Sequence, residues 1–519
     1  NLPFPVILDR WRLSDGQSMV QLPTGTVLMP DSFLVLCPRA YQAAYSARGK
    51  TVGLSGFPSL DNAGDQLLLF SPEGRLIHAV AYEDSWYGNS LKSDGGWSLE
   101  MIDPRFPCMD RKNWTASRDP SGGSPGQTNS VNGEATDSDP PQFTRTYAKD
   151  SITLVAVFDE TLDSLIASIP DRYELGPGAV RPVAARPLTP LFREVELRLP
   201  APMEPKKIYR LSISGLADCM GNTMALTQEN KAALASAHGA EGVCINEILF
   251  DPMPGGSDYV ELFNKGNEAV DAAQLFLGNR NAAGQPASLV PCADAPWILF
   301  PGEYLVLSEN PAQVMDRYTV ASPGKLLQVK AMPSMPDDEG TILVTGRQGA
   351  VLDEFRYADD LHFPLLTGRE GVSLERISPL APAQDPSNWH SAASGARYGT
   401  PTGRNSQYLE PGQVRGEVEI SPRIISPDLD GIDDQLTVGY RFPGPGYVCS
   451  VIIFDAAGRP VRYLARNHLC GTSGLFRWNG LDEQNARLPP GMYYILAEFF
   501  NLEGRRKQTR QAVALVLGN

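Results

Sequence analysis

The sequence predicts an all-β protein built from antiparallel sandwiches in tandem, and three observations predict it. Glycine and proline number 48 and 44 in 519 residues, well above the ~12% joint share of an average chain and without a collagen-like period, so turns are frequent. Apolar residues recur with period two, as in Val351 to Tyr357, where Val351, Phe355 and Tyr357 share one face and Leu352, Glu354 and Arg356 take the other. Within either of the two matching stretches of the chain, no segment of useful length carries a helical period. At roughly 100 to 200 residues per domain, the length predicts about three to five domains.

Composition narrows the function classes. Hydrophobic residues make up 42% and charged residues 20%, an ordinary globular balance, and no stretch approaches the ~18 to 20 apolar residues of a membrane-spanning helix. A net charge of −15 repels phosphate backbones, so no nucleic-acid partner is expected. The seven cysteines show no CxxC or other zinc-like spacing. Cys449 and Cys470 flank neighbouring strands and are expected to form a disulfide if the compartment is oxidising, and Cys219 with Cys244 is a second candidate. Cys37, Cys108 and Cys292 leave at least one thiol unpaired. The alternative is that all seven are small buried hydrophobes.

Self-similarity organises the chain. Pro30 to Leu36 matches Pro301 to Leu307, Ser98 to Pro104 matches Ser373 to Pro379, and Asn113-Trp114 recurs as Asn388-Trp389. Each copy closes on a turn, Ser124-Pro125-Gly126 to Asn129-Ser130 in one and Thr400-Pro401-Thr402-Gly403 to Asn405-Ser406 in the other. Residues 1–130 and 244–406 therefore read as two copies of one β-domain. Between them, alternation at Arg193 to Leu199 and Tyr209 to Ile213 marks strands of an immunoglobulin-like sandwich over 142–228, and the Ala-, Lys- and Gln-rich stretch Thr227 to Ala240 reads as a short helix or linker. Polar boundaries fall at Asn132 to Pro141 and at Gln407 to Gly416, the latter an exposed connector, and 417–519 forms a fourth unit.

The run Cys244-Ile245-Asn246-Glu247-Ile248-Leu249, followed by Asp258-Tyr259-Val260-Glu261-Leu262-Phe263-Asn264, resembles the opening of a lamin-tail domain, and the Ser-Leu-Glu, Asn-Trp and Thr-Pro-Thr-Gly elements match its later strands. The resemblance implies an immunoglobulin-like sandwich of the kind found in secreted or surface multidomain bacterial proteins, sometimes beside nucleases. The middle unit, with Asp218 and the Gly221-Asn222 turn, resembles bacterial immunoglobulin-like domains in which such residues close a strand pair. In the tail, Ser426 to Asp434, Val451 to Arg459, Trp478-Asn479-Gly480 and Leu488 to Tyr494 are similar to the domain of flagellar hook-capping proteins and to C-terminal sorting domains of type IX secretion cargo of the Bacteroidota. Asp428 and Leu429 stand where the sorting family often has Asn-Gly. The combination implies export across an outer membrane.

No catalytic constellation emerges. The five histidines are scattered, and His78 aligns with Asp353 of the other copy. Gly122-Gly123-Ser124-Pro125-Gly126 fits GxSxG formally, but Pro125 and its match to a domain-closing turn argue against a nucleophile elbow. Glu247 and Glu261 could pair as catalytic carboxylates, but the lamin-tail resemblance makes them strand-end residues that bind backbone or cap the sandwich. Asp428, Asp430, Asp433 and Asp434 around Gly431 form the best candidate ion site, for a structural calcium, although no bidentate Glu follows. The alternative is an Asp-rich turn accepting backbone N–H bonds. Arg505, Arg506 and Lys507, with Arg510, form the basic cluster, either a solvated hairpin face or a surface for an anionic partner such as a glycolipid phosphate. The tryptophans read as core, with Trp86 the one placed in a polar loop.

These readings predict a non-catalytic scaffold or adhesion protein at the cell surface, with protein partners at the outer membrane. The alternative is an accessory region of a secreted hydrolase or nuclease whose catalytic domain lies elsewhere. One absence stands out: the second copy opens with Ile245 to Asn264, whereas the first enters near Val6 and Trp11 without that opening strand. Such an edge must be paired by residues preceding Asn1, the favoured source, or by a partner.

Overall fold

A computed structural model describes residues 3–236, 238–409, 416–428 and 432–516, and the chain divides into two compact units, Asn1–Leu234 and Ala235–Asn519. The described residues are predominantly β-strand.

In the first unit, the strands Met19–Gln21, Arg12–Ser14, Gly64–Phe70 and Leu76–Glu83 form one sheet in that spatial order. Three two-stranded pieces accompany it: Val6–Ile7 with Val27–Leu28, Leu99–Met101 with Trp114–Ala116, and a parallel pair of Val35–Pro38 with Thr51–Leu54. Their core is thin. Leu8, Leu22 and Leu54 are buried, while Trp11, Leu13, Leu34 and Leu36 are only partly covered.

The rest of this unit is a seven-stranded sandwich. A four-stranded sheet of Phe143–Asp150, Thr153–Phe158, Glu194–Arg198 and Ala184–Pro187 packs on a three-stranded sheet of Tyr173–Gly176, Tyr209–Ile213 and Gln228–Ala232. The last strand corrects the helix expected from Thr227. Its burial alternates, Ala232 is fully buried, and Gln228 Oε1 and Asn230 Nδ2 bond the backbone of Phe143, so pairing with Tyr209–Ile213 overrides helix-favouring composition. Asp218 closes its turn as expected, accepting the Asn222 amide at 2.8 Å. Cys108 and Cys219 form a disulfide spanning 111 residues, which corrects the Cys219–Cys244 alternative. Trp86 is buried rather than exposed.

In the second unit, a six-stranded sheet runs Leu326–Gln328, Tyr304–Ser308, Tyr259–Asn264, Val243–Leu249, Leu374–Arg376, Trp389–Ser391. It faces a four-stranded sheet of Pro286–Pro291, Leu275–Arg280, Glu339–Gly346 and Val351–Ala358 across a core containing Ile248, Leu262, Leu277, Phe355 and Trp389. A seven-residue helix, Pro311–Arg317, is opened by Pro311 and capped by Asn310, a short Asn-Pro start that a search for long helical periods passes over.

The tail is a further sandwich. The strands Glu417–Ser421, Leu436–Arg441 and Ser473–Trp478 face a five-stranded sheet that includes the terminal hairpin Gly491–Phe500 with Arg506–Leu515. Gln407 corrects the exposed connector expected there. It is fully buried, and its side chain donates to Ser391 O and Cys470 O; residues 410–415 lie outside the described residues.

Candidate docking cleft in the first repeat

The two repeats share their framework. Both have the same four-strand order and the same parallel pair, Val35–Pro38 with Thr51–Leu54 in one and Tyr304–Ser308 with Leu326–Gln328 in the other. The closing turns also agree. Asn129 Nδ2 donates to Met101 O at 2.8 Å as Asn405 Nδ2 donates to Arg376 O at 2.9 Å, and Gly126 and Thr402 both have positive φ.

In the second repeat, the hairpin Val243–Leu249 with Tyr259–Asn264 lies between the Tyr304–Ser308 and Leu374–Arg376 strands, pairing Val260 with Leu307 and Ile248 with Leu374. The first repeat has both flanking strands and, among the described residues, nothing between them: Val35–Pro38 and Leu99–Met101 each pair on one side only. Two strands are therefore unmatched, where the sequence exposed the loss of an opening strand. A cavity of about 650 Å³ borders the Leu99–Met101 edge, lined by Tyr45, Arg48, Ser98, Leu99, Glu100 and Ser124.

The second repeat shows what fills that place. Glu247 is fully buried; its Oε1 accepts from Tyr259 OH at 2.7 Å, Ser373 Oγ at 2.5 Å and Thr400 N at 2.9 Å. Glu261, also fully buried, accepts from Asn246 Nδ2 and Thr402 N. Thr400 Oγ1 lies 2.9 Å from both Glu247 Oε2 and Glu375 Oε1. A hydroxyl has one proton to give, so one of these carboxyls carries a proton and donates to Thr400. Burial accordingly pushes Glu247 and Glu261 up and Glu375 up to about 8. The expectation that Glu247 and Glu261 bind backbone is met by the Thr400 and Thr402 amides, though both sit within strands rather than at their ends.

In the first repeat the corresponding serines converge on one carboxylate, with Ser130 on Glu100 as Ser406 is on Glu375. Glu100, the counterpart of Glu375, accepts from Ser124 N at 3.1 Å, Ser124 Oγ at 2.6 Å and Ser130 Oγ at 2.7 Å. Burial opposes its ionisation, but it borders an open cleft rather than a filled interior, and the serine hydrogen bonds hold its pKa below the usual value. Ser124, the formal GxSxG serine, is thus committed to a carboxylate acceptor. The anchor of the hairpin also differs. Arg376 donates to Asp353 at 2.7 Å and to Ile245 O at 3.0 Å, and Asp353 accepts the Ile245 amide; at the matching positions the first repeat has Met101 and His78.

The remaining candidates are spread elsewhere. Asp428 and Asp433 are exposed and Asp434 half-buried, with Asp430 outside the described residues; the Ser426 amide donates to Asp433 O. Arg505 pairs with Glu503, Arg506 with Glu498, and Lys507 donates to Gly416 O at 2.7 Å, so two of the four charges of this cluster are paired with carboxylates. Cys449 and Cys470 are free, which corrects the expected disulfide; both are buried, Cys470 Sγ donates to His468 O at 3.7 Å, and the neighbouring Cys470 thiol together with burial pushes Cys449 up. A group the sequence did not single out, Asp137, Glu160 and Asp218, converges within 4.8 Å. Lys112 holds it, 2.7 Å from Asp137 and 3.3 Å from Glu160, while burial pushes Glu160 up to about 7.

No family model and no curated protein matches the chain. Among solved structures, it is similar to FlgD from P. aeruginosa, at 19% identity over 19% of this chain and 74% of that one, TM-score 0.15. It is similar to a DUF4876 family protein from Bacteroides thetaiotaomicron, at 12% identity over 45% and 86%, TM-score 0.19. It is also similar to PorZ, a surface component of the type IX secretion system of Porphyromonas gingivalis, at 11% identity over 87% of this chain and 56% of that one, TM-score 0.16.

Proposed function

We propose that the protein is a non-catalytic extracellular scaffold or adhesion protein at the bacterial outer membrane that holds polypeptide partners. The observation that carries this reading is the succession of β-sandwiches with their own cores along the chain, which offers sheet faces and edges for contact. The Cys108–Cys219 disulfide fits an oxidising, extracellular address. The lamin-tail, immunoglobulin-like and sorting-like sequence resemblances support export by, or association with, type IX secretion. A calcium ion at Asp428, Asp430, Asp433 and Asp434 would serve only to stiffen the tail, and a rise in the tail's melting temperature on adding calcium, reversed by chelation, tests it. The reading as a whole is tested by affinity capture from detergent-solubilised outer membranes. A stable stoichiometric surface partner is expected; recovery of the chain alone would contradict it.

A further inference from the structure

We propose that the seam between the second repeat and the tail is an acid-released joint, with His362 and His390 as the groups whose protonation loosens it. This goes beyond the scaffold reading and does not rest on it. The seam is held by a few polar contacts and one apolar cluster. Gln407 Nε2 donates to Ser391 O of the repeat and to Cys470 O of the tail, while Thr472 N donates to Ser406 O and Ser394 Oγ to Leu469 O, each at 3.0 Å. Phe363 of the repeat packs with Val448 and Leu469 of the tail. Its ring centroid lies 5.3 Å from that of His390, and its amide donates to Ser391 Oγ, which also stands 2.9 Å from His362 Nδ1. Both imidazoles therefore bear on Ser391 and Phe363, the residues through which the repeat grips the tail.

Neither ring is placed to carry a charge. His390 Nδ1 lies 3.0 Å from Ser391 O, and a carbonyl only accepts, so Nδ1 carries the proton of the neutral ring and Nε2 takes the next one. That nitrogen faces the tail, where a Cβ on Gly446 would stand 3.4 Å from it. His362 is 2% exposed, stacks on Phe250, and its Nε2 has no hydrogen-bond partner. A second proton on this ring makes a buried cation with one N–H unmatched. Among the described residues no carboxylate offsets either charge. Arg369 and Asp359 face His362 but pair with each other, and a charged His390 would repel it. Glu375 stands opposite His390 in the strand pair, yet its carboxyl is taken by Thr400, Ser406 and Gln407, and burial keeps it protonated below about 8. Burial holds His390 below its ordinary value and brings His362 from 6.5 down to about 4. A histidine depressed in this way contributes no penalty above the unfolded value of 6.5, and a growing one as pH falls toward about 4. The joint is thus closed at neutral pH and weakened in mild acid.

The test is amide hydrogen exchange on the full 519-residue chain at about pH 7.5 and about pH 5, read as protection factors so that the pH dependence of intrinsic exchange is removed. Protection of Thr472 and its neighbours over 469–473 should fall about tenfold in acid, while the strands Tyr259–Asn264 and Gly491–Phe500 keep theirs. A chain carrying His362→Asn and His390→Asn retains a polar atom where each Nδ1 stands but takes no proton, so it should hold its protection at neutral pH and lose the fall. Unchanged protection in the parent chain overturns the proposal, as does a fall that survives in the double variant. Equal loss in the two control strands would mean acid unfolding of whole sandwiches and overturns the joint. Should the double variant fail to fold, NMR titration of the parent chain decides the matter. Both imidazoles should titrate below 6.5, and titration of either at or above that value overturns the proposal.

Discussion

The two repeats hold themselves together differently. In the second, a buried hairpin brings Glu247 and Glu261 into the interior, and the Arg376–Asp353 pair grips its backbone at Ile245. In the first, the same framework leaves two edges singly paired among the described residues, Leu8, Leu22 and Leu54 form one small cluster, and a disulfide ties the loop at Cys108 to the adjoining sandwich at Cys219. The same framework thus carries a filled interior in one repeat and, among the described residues, two singly paired edges with a disulfide restraint in the other.

The largest effect should come from that restraint. Replacing Cys108 and Cys219 by serine reopens a loop of 111 residues, and chain entropy predicts a loss of about 4 to 5 kcal/mol from the first unit. Urea denaturation should show the first unit's transition moving to lower urea and the second unit's unchanged. An unmoved first transition would mean that the first repeat stands without its staple.

The hairpin anchor comes next. Arg376→Met leaves the Asp353 carboxylate unpaired in a mostly buried site and should cost about 3 to 5 kcal/mol. Adding Asp353→His, which installs the first repeat's residues at both positions, should recover part of that loss by removing the stranded charge. A double variant as unstable as the single one would show that the Ile245 contacts, not the charge balance, carry the difference.

Acidity should move the two repeats in opposite directions. Glu375 is raised from 4.5 to about 8, with Glu247 and Glu261 raised beside it and Tyr259, Tyr318 and Thr400 facing them. A raised folded pKa gives stability that is full below the unfolded value near 4.5 and lost as pH climbs toward 8. Glu100 is lowered, so its contribution is present above 4.5 and lost as pH falls through its folded value. Denaturation midpoints of the two units should therefore diverge with pH, and Glu375→Gln should flatten the alkaline decline of the second. A decline that survives Glu375→Gln unchanged would remove the shared proton from the account. The smallest change is expected far from both repeats: Arg506→Ala breaks a surface pair with Glu498 and should cost less than about 1 kcal/mol. A larger loss would show that the terminal hairpin is not a neutral baseline for comparing the repeats.

Much of the fold was legible because period-two alternation and turn residues are local signals. The repeat, the strands around Val195 and Tyr209, and the Asp218–Asn222 turn were all readable as sequence. The failures were non-local. The strand Gln228–Ala232 forms against helix-favouring composition because a partner edge awaits it, and Gln407 looks like linker until Glu375 accepts its amide and Ser391 and Cys470 accept its side-chain NH2 in the interior. Cysteine spacing cannot reveal a bridge across 111 residues. The cleft was half legible. Repeat alignment exposed a missing strand, but that two are unmatched, and that the Ser124 amide meets Glu100 where the Thr400 amide meets Glu247, required the paired geometry of both copies.

The most direct measurement is amide hydrogen exchange on the intact chain without any added ligand, comparing matched strands. Openness of the first repeat predicts fast exchange in Val35–Pro38 and Leu99–Met101 and slow exchange in Tyr304–Ser308 and Leu374–Arg376. Equal, slow exchange in both sets would mean that the first repeat's edges are already paired and would contradict the open cleft.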